Sequence, residues 1–379
     1  MTKEPSNDLI VKPAPHITGE MSKNRLMTYT FLSILIITIV TAAIWSTEQT
    51  PNGWNLGLTL ALNAIISVGV AVGLDALLHK VTADSPLNLM SAAVFGLIVS
   101  DIYVLGISSM ATPKIFTSVE LFPLEAPQCF AYVAAMSIVG LIVFKKLVGL
   151  TGRKWVNPAA ASKIVLMIPF INTLLITVGH LKSGPLQVPS MAGGLSLVTP
   201  VKGNGAAGFG YYMISCFANA NHAIPKATDL NLLGLMLLDK FHGWPGGASA
   251  LAVIIVGIGF FIVARKYVKW RITSSYLVTT ALMSLILSFA YNDTDYLVRF
   301  LFLMFIGSSI FLAFFMATDP ATTPITGTGQ IIFGVGVSIL TVLMITFLEF
   351  FGASFVALII MNLTVPLLDR IGIHKPFGR

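Results

Sequence analysis

Charge is what this sequence most conspicuously lacks. Only 10% of its 379 residues are Asp, Glu, Lys or Arg, whereas a soluble chain carries about 25% to keep its surface wetted. That shortage excludes a soluble dinucleotide-binding enzyme, a nucleic-acid-binding domain and a secreted scaffold. Cysteine is scarcer still. Cys129 and Cys216 stand far apart in apolar or mixed surroundings, so there is no CxxC pair, iron–sulfur run or haem-attachment CxxCH. A nicotinamide fingerprint is also missing: GTGQIIFGVG at 327-336 precedes a membrane-type helix and follows no strand.

What is present is apolar residue, 55% of the chain, with a mean hydropathy of +0.85. Runs long enough to cross a bilayer, about 20 residues, recur along the whole length. They predict an all-α polytopic membrane protein with ten helices near 26-46, 57-78, 88-107, 128-148, 160-178, 248-265, 273-290, 297-317, 330-348 and 351-368. Residues 1-25 contain no short apolar core or cleavage site and read as a cytoplasmic tail.

The net charge of +7 is topogenic. With the N-terminus inside, the tails and inside loops hold 16 Lys and Arg residues, among them Lys145, Lys146, Lys154, Lys269 and Arg271, against five outside. That bias predicts both termini on the cytoplasmic side. Between the fifth and sixth helices lies an external loop, 179-247, rich in Gly, Ser, Pro and Asn. A loop of that length in a compact protein is functional as a rule. It separates a first membrane half, 26-178, from a second, 248-368, before a tail at 369-379. Five helices in each half imply two inverted repeats.

A charge at mid-membrane costs about 2.5–3.5 kcal/mol, which directs attention to Asp75, Asp101, Lys163, Arg299, Asp319, Glu349 and Asp369. Asp101 and Asp319 abut broken backbone, where carbonyl oxygens and a carboxylate can together hold a hard cation such as sodium. Helix capping is the plainer explanation of each. Pro320, Pro324, Gly327 and Gly329 form an inside turn with hydroxyls from Thr318, Thr322, Thr323, Thr326 and Thr328. Such a turn can present backbone N–H groups to phosphate or a flavin edge, or simply cap a helix. In the external loop, Thr199 follows Ser196 and precedes Lys202; by itself it is a loop threonine.

Several blocks in order give these residues a context: PHI at 15-17, TGRKWVNPA at 151-159, SLVTP at 196-200, GWPGGASALA at 243-252, KWRI at 269-272, FMATDPATTP at 315-324 and MNLTVPLLD at 361-369. Together they resemble the NqrB/RnfD family of membrane flavoproteins, which takes in the RnfD component of Rnf-type complexes and the NqrB component of sodium-pumping NADH:quinone reductases, RnfD being the better fit. The resemblance implies ten helices and FMN held on Thr199 by a phosphodiester made by a flavin transferase, with Ser196 and Lys202 beside it. It also implies a second, noncovalent flavin such as riboflavin, for which Thr318, Asp319 and Thr322 are candidate ligands. The chain would then be an electron relay in a complex coupling ferredoxin oxidation to sodium or proton movement, alongside iron–sulfur and flavin subunits and without catalytic residues of its own. The acceptor stretch here reads Gly193, Gly194, Leu195, Ser196, Leu197, Val198, Thr199, where the family has Asp-Gly-x-Ser-Gly-Ala-Thr. A secondary transporter built from inverted repeats and a flavin-free scaffold component of the same complex are the competing readings.

Overall fold

A computed structural model describes residues 22–46, 55–81, 87–102, 128–147, 154–167, 249–293, 296–305, 309–348 and 353–371. The loop at 179-247, and with it Ser196, Thr199 and Lys202, lies outside them, as does Glu349. Among the described residues every regular element is helical: α1 (Lys23–Trp45), α2 (Leu56–Val81), α3 (Leu89–Ile102), α4 (Gln128–Val139), α5 (Pro158–Met167), α6 (Ala250–Val263), α7 (Trp270–Ala290), α8 (Tyr296–Phe305), α9 (Ser309–Phe311), α10 (Gly327–Leu348) and α11 (Ala353–Leu368). Two segments wind as π-helix, Gly140–Leu147 continuing α4 and Leu312–Met316 continuing α9.

Each of the ten apolar runs has a helical counterpart. Five helices are long and apolar enough to cross a membrane, and a sixth span forms if the bent pair Arg299–Phe305 and Ser309–Met316 is one unit. That pair departs from the single helix expected at 297-317: it bends by 55°, and the sequence between its halves, Ile306-Gly307-Ser308, includes a residue of poor helix propensity.

The distribution of side chains is that of a protein dissolved in lipid. Along α7, Thr273, Tyr276, Thr280, Ser284 and Ser288 are buried, while Val278, Leu282, Leu285, Ile286 and Phe289 are exposed. Water would favour the reverse; hydrocarbon on the outside leaves small polar residues to join helices within. Ser67 on α2 and Ser137 on α4 pair at 2.8 Å, and Thr280 on α7 pairs with Ser338 on α10, also at 2.8 Å. The two pairs occupy matching places, second helix to fourth, in the two halves.

Close approach does the rest. Ser67 donates to the Gly96 carbonyl at 2.7 Å, and a Cβ on Gly96 would sit 2.7 Å from Val68 Cα. Backbone on both sides leaves nothing able to yield. Gly96→Ala should therefore destabilise the protein by about 1–3 kcal/mol through overpacking. Gly73→Ala, on an open face of α2 with nothing within 4 Å, should be neutral or stabilising by up to about 1 kcal/mol. Thermal unfolding of the two variants in detergent checks the contrast.

Candidate functional site

The helix ends assigned to the inside by charge come together at one end of the bundle. They enclose a cavity of about 1150 Å3, lined by Lys23 and Leu26 of α1, Asp75 of α2, Phe95 and Ile98 of α3, Lys145 and Lys146 of the first π segment, Lys154 and Asn157 before α5, Phe260 of α6, and Phe315 and Asp319. One wall is aromatic: Phe260 and Phe315 stack with centroids 5.9 Å apart and planes 29° from parallel. The rest of the lining carries four lysines, Lys23, Lys145, Lys146 and Lys154.

The π segment shapes that part of the lining. A π-turn holds one more residue than an α-turn and re-aims the side chains beyond it. Gly140 allows the segment to press against α3, since a Cβ there would lie 2.5 Å from the Phe95 ring. Lys146 then pairs with Asp75 at 2.7 Å, and Asp75 also accepts the Asn88 N–H at 2.9 Å. Lys145 is only 9% exposed, and its Nζ has no hydrogen-bond partner among the described residues. Its ammonium lies 5.9 Å from the centroid of Phe95.

The threonine-rich turn contributes Thr318, Asp319, Pro320 and Ala321 to the lining. Its polar groups are largely engaged within the protein. Thr318 donates to the Phe314 carbonyl at 2.7 Å, Thr322 to Asp319 at 3.4 Å and Thr323 to the Asp319 carbonyl at 2.6 Å. The Ala321 N–H donates to the Asp319 carboxylate at 3.1 Å, and Thr326 caps α10 by accepting the Gly329 N–H. Lys269 clamps the turn from outside, donating to the carbonyls of Pro320 and Thr323 at 3.2 and 3.0 Å and to the Thr323 hydroxyl at 2.8 Å. Asp369 accepts the Ile325 N–H at 2.7 Å.

Of the residues singled out by sequence, Thr318 and Asp319 line the cavity and Thr322 lies buried behind the rim. Asp101 is not with them. It is buried deeper along α3, past Ile98, where Thr38 donates to both its oxygens at 3.0 and 3.1 Å. Lys163 is buried nearby, donating to the Ile102 carbonyl and lying 4.2 Å from the Phe355 ring centroid. Arg299 is accounted for by a bidentate pair with Asp293 at 2.6 and 2.9 Å. No group of three or more His, Cys, Asp or Glu side chains suited to a metal occurs among the described residues. Sequence reasoning treated Lys145 and Lys146 as topology signals and used Asn157 and Asn362 only as parts of the blocks NPA and MNLTVPLLD; the π segment and the tertiary contacts give them a place in the site.

Comparison with known proteins gives the family. Residues 115–378 match the family described as NQR2, RnfD, RnfE. The chain is 25% identical over 371 residues to the D component of the Na(+)-translocating ferredoxin:NAD(+) oxidoreductase complex of Acetobacterium woodii, covering 98% of this chain and 96% of that one. It is 28% identical over 268 residues to the D component of an ion-translocating oxidoreductase complex of Stutzerimonas stutzeri, covering 68% and 72%. With the B component of a Na(+)-translocating NADH-quinone reductase of Ectopseudomonas mendocina it shares 26% identity over 247 residues, 63% and 54% of the two chains.

The Lys269 clamp sets an expectation for the rim. Hydrogen bonds from a charged donor contribute about 1.5–3 kcal/mol, and about 1.4 kcal/mol is a factor of ten. Lys269→Met should speed amide hydrogen exchange at Ala321 and Ile325 by about ten-fold or more, while exchange in the middle of α7 stays unchanged.

Proposed function

We propose a function that proceeds from one fact: the chain belongs to the NQR2, RnfD, RnfE family. It is an integral membrane component of an ion-translocating oxidoreductase complex. Within that complex it relays electrons from ferredoxin oxidation through FMN and contributes to coupled sodium or proton movement. The observation that carries this reading is similarity along nearly the whole length of the Acetobacterium woodii relative, joined to a membrane fold with a cavity lined by both aromatic and cationic side chains.

In this reading Thr199 bears FMN through its hydroxyl on the outer side of the cell membrane, with Ser196 and Lys202 beside it in sequence. Both termini lie inside. The matching hydroxyl pairs, Ser67 with Ser137 and Thr280 with Ser338, support an inverted repeat of the two halves.

The second, noncovalent flavin is assigned to the cavity, and the residues there fit it. The volume lies just above the usual ligand range of about 300–1,000 Å3; the stacked Phe260 and Phe315 offer a flat apolar face; and Lys145 offers an uncommitted buried donor. A bound flavin supplies one- and two-electron chemistry of its own. The chain's part is to hold it, exclude water with Leu26, Ile98 and Phe260, and set the surrounding charge with Lys145, Lys146 and Asp75. Thr318 and Thr322 contribute by fixing the rim rather than by offering free hydroxyls, which leaves the Asp319 carboxylate as the rim's own charge. Asp319 at the cavity and Asp101 deeper in α3 are the acidic groups assigned to the ion path. The iron–sulfur and flavin subunits deliver and remove electrons, and a flavin transferase loads Thr199.

Flavin fluorescence of the denatured polypeptide in a gel tests the assignment, after expression with a flavin transferase. The wild type should glow and Thr199→Ala should not. A glow that survives in Thr199→Ala moves the attachment elsewhere, and a dark wild type leaves a noncovalent flavoprotein or a scaffold.

A further inference from the structure

Where α1 packs against α6, the inside end of the bundle carries a second hollow, of about 520 Å3. Along α1, Leu26 and Thr30 line the large cavity while Arg25 and Tyr29 line this hollow, and only Tyr267 belongs to both. The remaining lining comes from Ile262 and Val263 at the end of α6 and from the turn that leads to α7. The Ala264 carbonyl closes that turn by accepting the N–H groups of Tyr267 and Val268 at 2.8 and 3.1 Å. Ala264 is buried, and Arg265 and Lys266 beyond it are exposed. Charge in the hollow is one-sided: two guanidiniums and an ammonium, with no acidic side chain in the lining. Arg25 Nε donates to the Tyr29 hydroxyl at 3.0 Å, and the guanidinium lies 5.7 Å from that ring's centroid, which holds the side chain in place. Arg265 makes no side-chain hydrogen bond or ion pair among the described residues. A guanidinium stays charged throughout the physiological pH range and presents a fork of donors that matches a phosphate.

Apolar surface continues from these charges into the membrane. On α1, Leu32 and Ile36 follow Arg25 and Tyr29 at intervals of three and four residues, and on α6, Ile255 and Ile258 precede Ile262 in the same way. Residues so spaced share one face of a helix, and all five of these aliphatic side chains are exposed, Ile262 at 71%. Tyr29, Tyr267 and the exposed Trp270 stand where amphipathic rings settle, at the level of the headgroups. We propose that the hollow binds an anionic phospholipid of the inner leaflet, its phosphodiester taken by Arg25 and Arg265 and its acyl chains lying along the stripes of α1 and α6. Charge complementarity selects the anion, since cations without an acidic partner in the lining meet the negative surface of the cytoplasmic leaflet. A zwitterionic headgroup would bring a cation of its own to the same charges. The stripes select a lipid over a free phosphate ion, which leaves them unused. This site goes beyond the flavin reading and depends only on the membrane fold and the inside placement of these helix ends.

Native mass spectrometry of the purified full-length protein in detergent, titrated with phosphatidylglycerol or phosphatidylcholine of matched chains, reads bound lipid directly. The wild type should hold one phosphatidylglycerol about ten-fold or more tightly than phosphatidylcholine, the difference being a charge-assisted contact. Arg25→Gln combined with Arg265→Gln should lose that preference, and the pair Arg25→Lys with Arg265→Lys should keep part of it. Lys80→Gln combined with Arg370→Gln removes the same charge from two other exposed inside positions and should keep all of it. All four positions are exposed, so both glutamine variants should unfold at the wild-type temperature when no lipid is added. Inorganic phosphate should displace the lipid no better than chloride at equal ionic strength. Equal binding of the two lipids by the wild type overturns the proposal and leaves the face to a protein neighbour. A preference that survives in Arg25→Gln with Arg265→Gln, or is lost equally in both glutamine variants, overturns the site in favour of diffuse surface charge. Displacement by phosphate but not by chloride overturns the lipid in favour of a free anion.

Discussion

Two asparagine amides hold the site together. A membrane protein cannot leave backbone donors and acceptors to water inside the hydrocarbon, so every break in a helix must be closed by another part of the protein. Asn362, buried on α11, accepts the Asn157 N–H at 3.0 Å and donates to the Thr322 carbonyl at 3.0 Å. Asn157 in turn caps α5, accepting the N–H groups of Ala159 and Ala160 at 3.1 and 3.2 Å, and reaches the Met316 carbonyl. Through these two side chains the start of α5, the end of the second π segment, the threonine-rich turn and α11 become one connected structure. The first of these belongs to the first half of the chain and the rest to the second.

The cavity depends on that junction. With the halves tied at their shared end, Lys145 and Lys146 of the first π segment line the same cavity as Phe260 and Phe315. The second π segment is stabilised in the same manner: the Ala317 N–H bonds back to the Leu312 carbonyl at 2.7 Å, and Thr273 donates to the Ala313 carbonyl at 2.6 Å. Non-α turns at these two places allow a bundle of apolar helices to carry polar chemistry at one end without exposing unpaired backbone to lipid.

Much of this was legible in sequence, and the limits have physical causes. Apolar runs located ten segments that contain helix, five of them, or six with the bent pair, long enough among the described residues to cross a membrane, and the charge count grouped helix ends that the fold does bring to one end of the bundle. FMATDP was legible as a special turn. Its internal use was not, since a hydroxyl that caps its own loop and one that faces a ligand look alike in sequence; Thr318 and Thr322 prove to do the former. Asp101 and Asp319 both looked like membrane carboxylates next to broken backbone, yet one is buried against Thr38 and the other lies on the cavity rim. Lys145 looked like an ordinary inside-loop lysine. A π-turn following Gly140 turns it into the protein, and no residue pattern in α4 announces that turn.

The most direct test of this account is a double-mutant cycle on the two amides, Asn157→Ala, Asn362→Ala and the pair, followed by unfolding of the full chain in detergent. Residues sharing one buried hydrogen-bond network couple by about 0.5–3 kcal/mol. The account predicts a coupling energy of at least about 1 kcal/mol, with each single variant already loosening the turn at Thr322. Additive effects, with Asn157→Ala costing the same whether or not Asn362 is present, would contradict it.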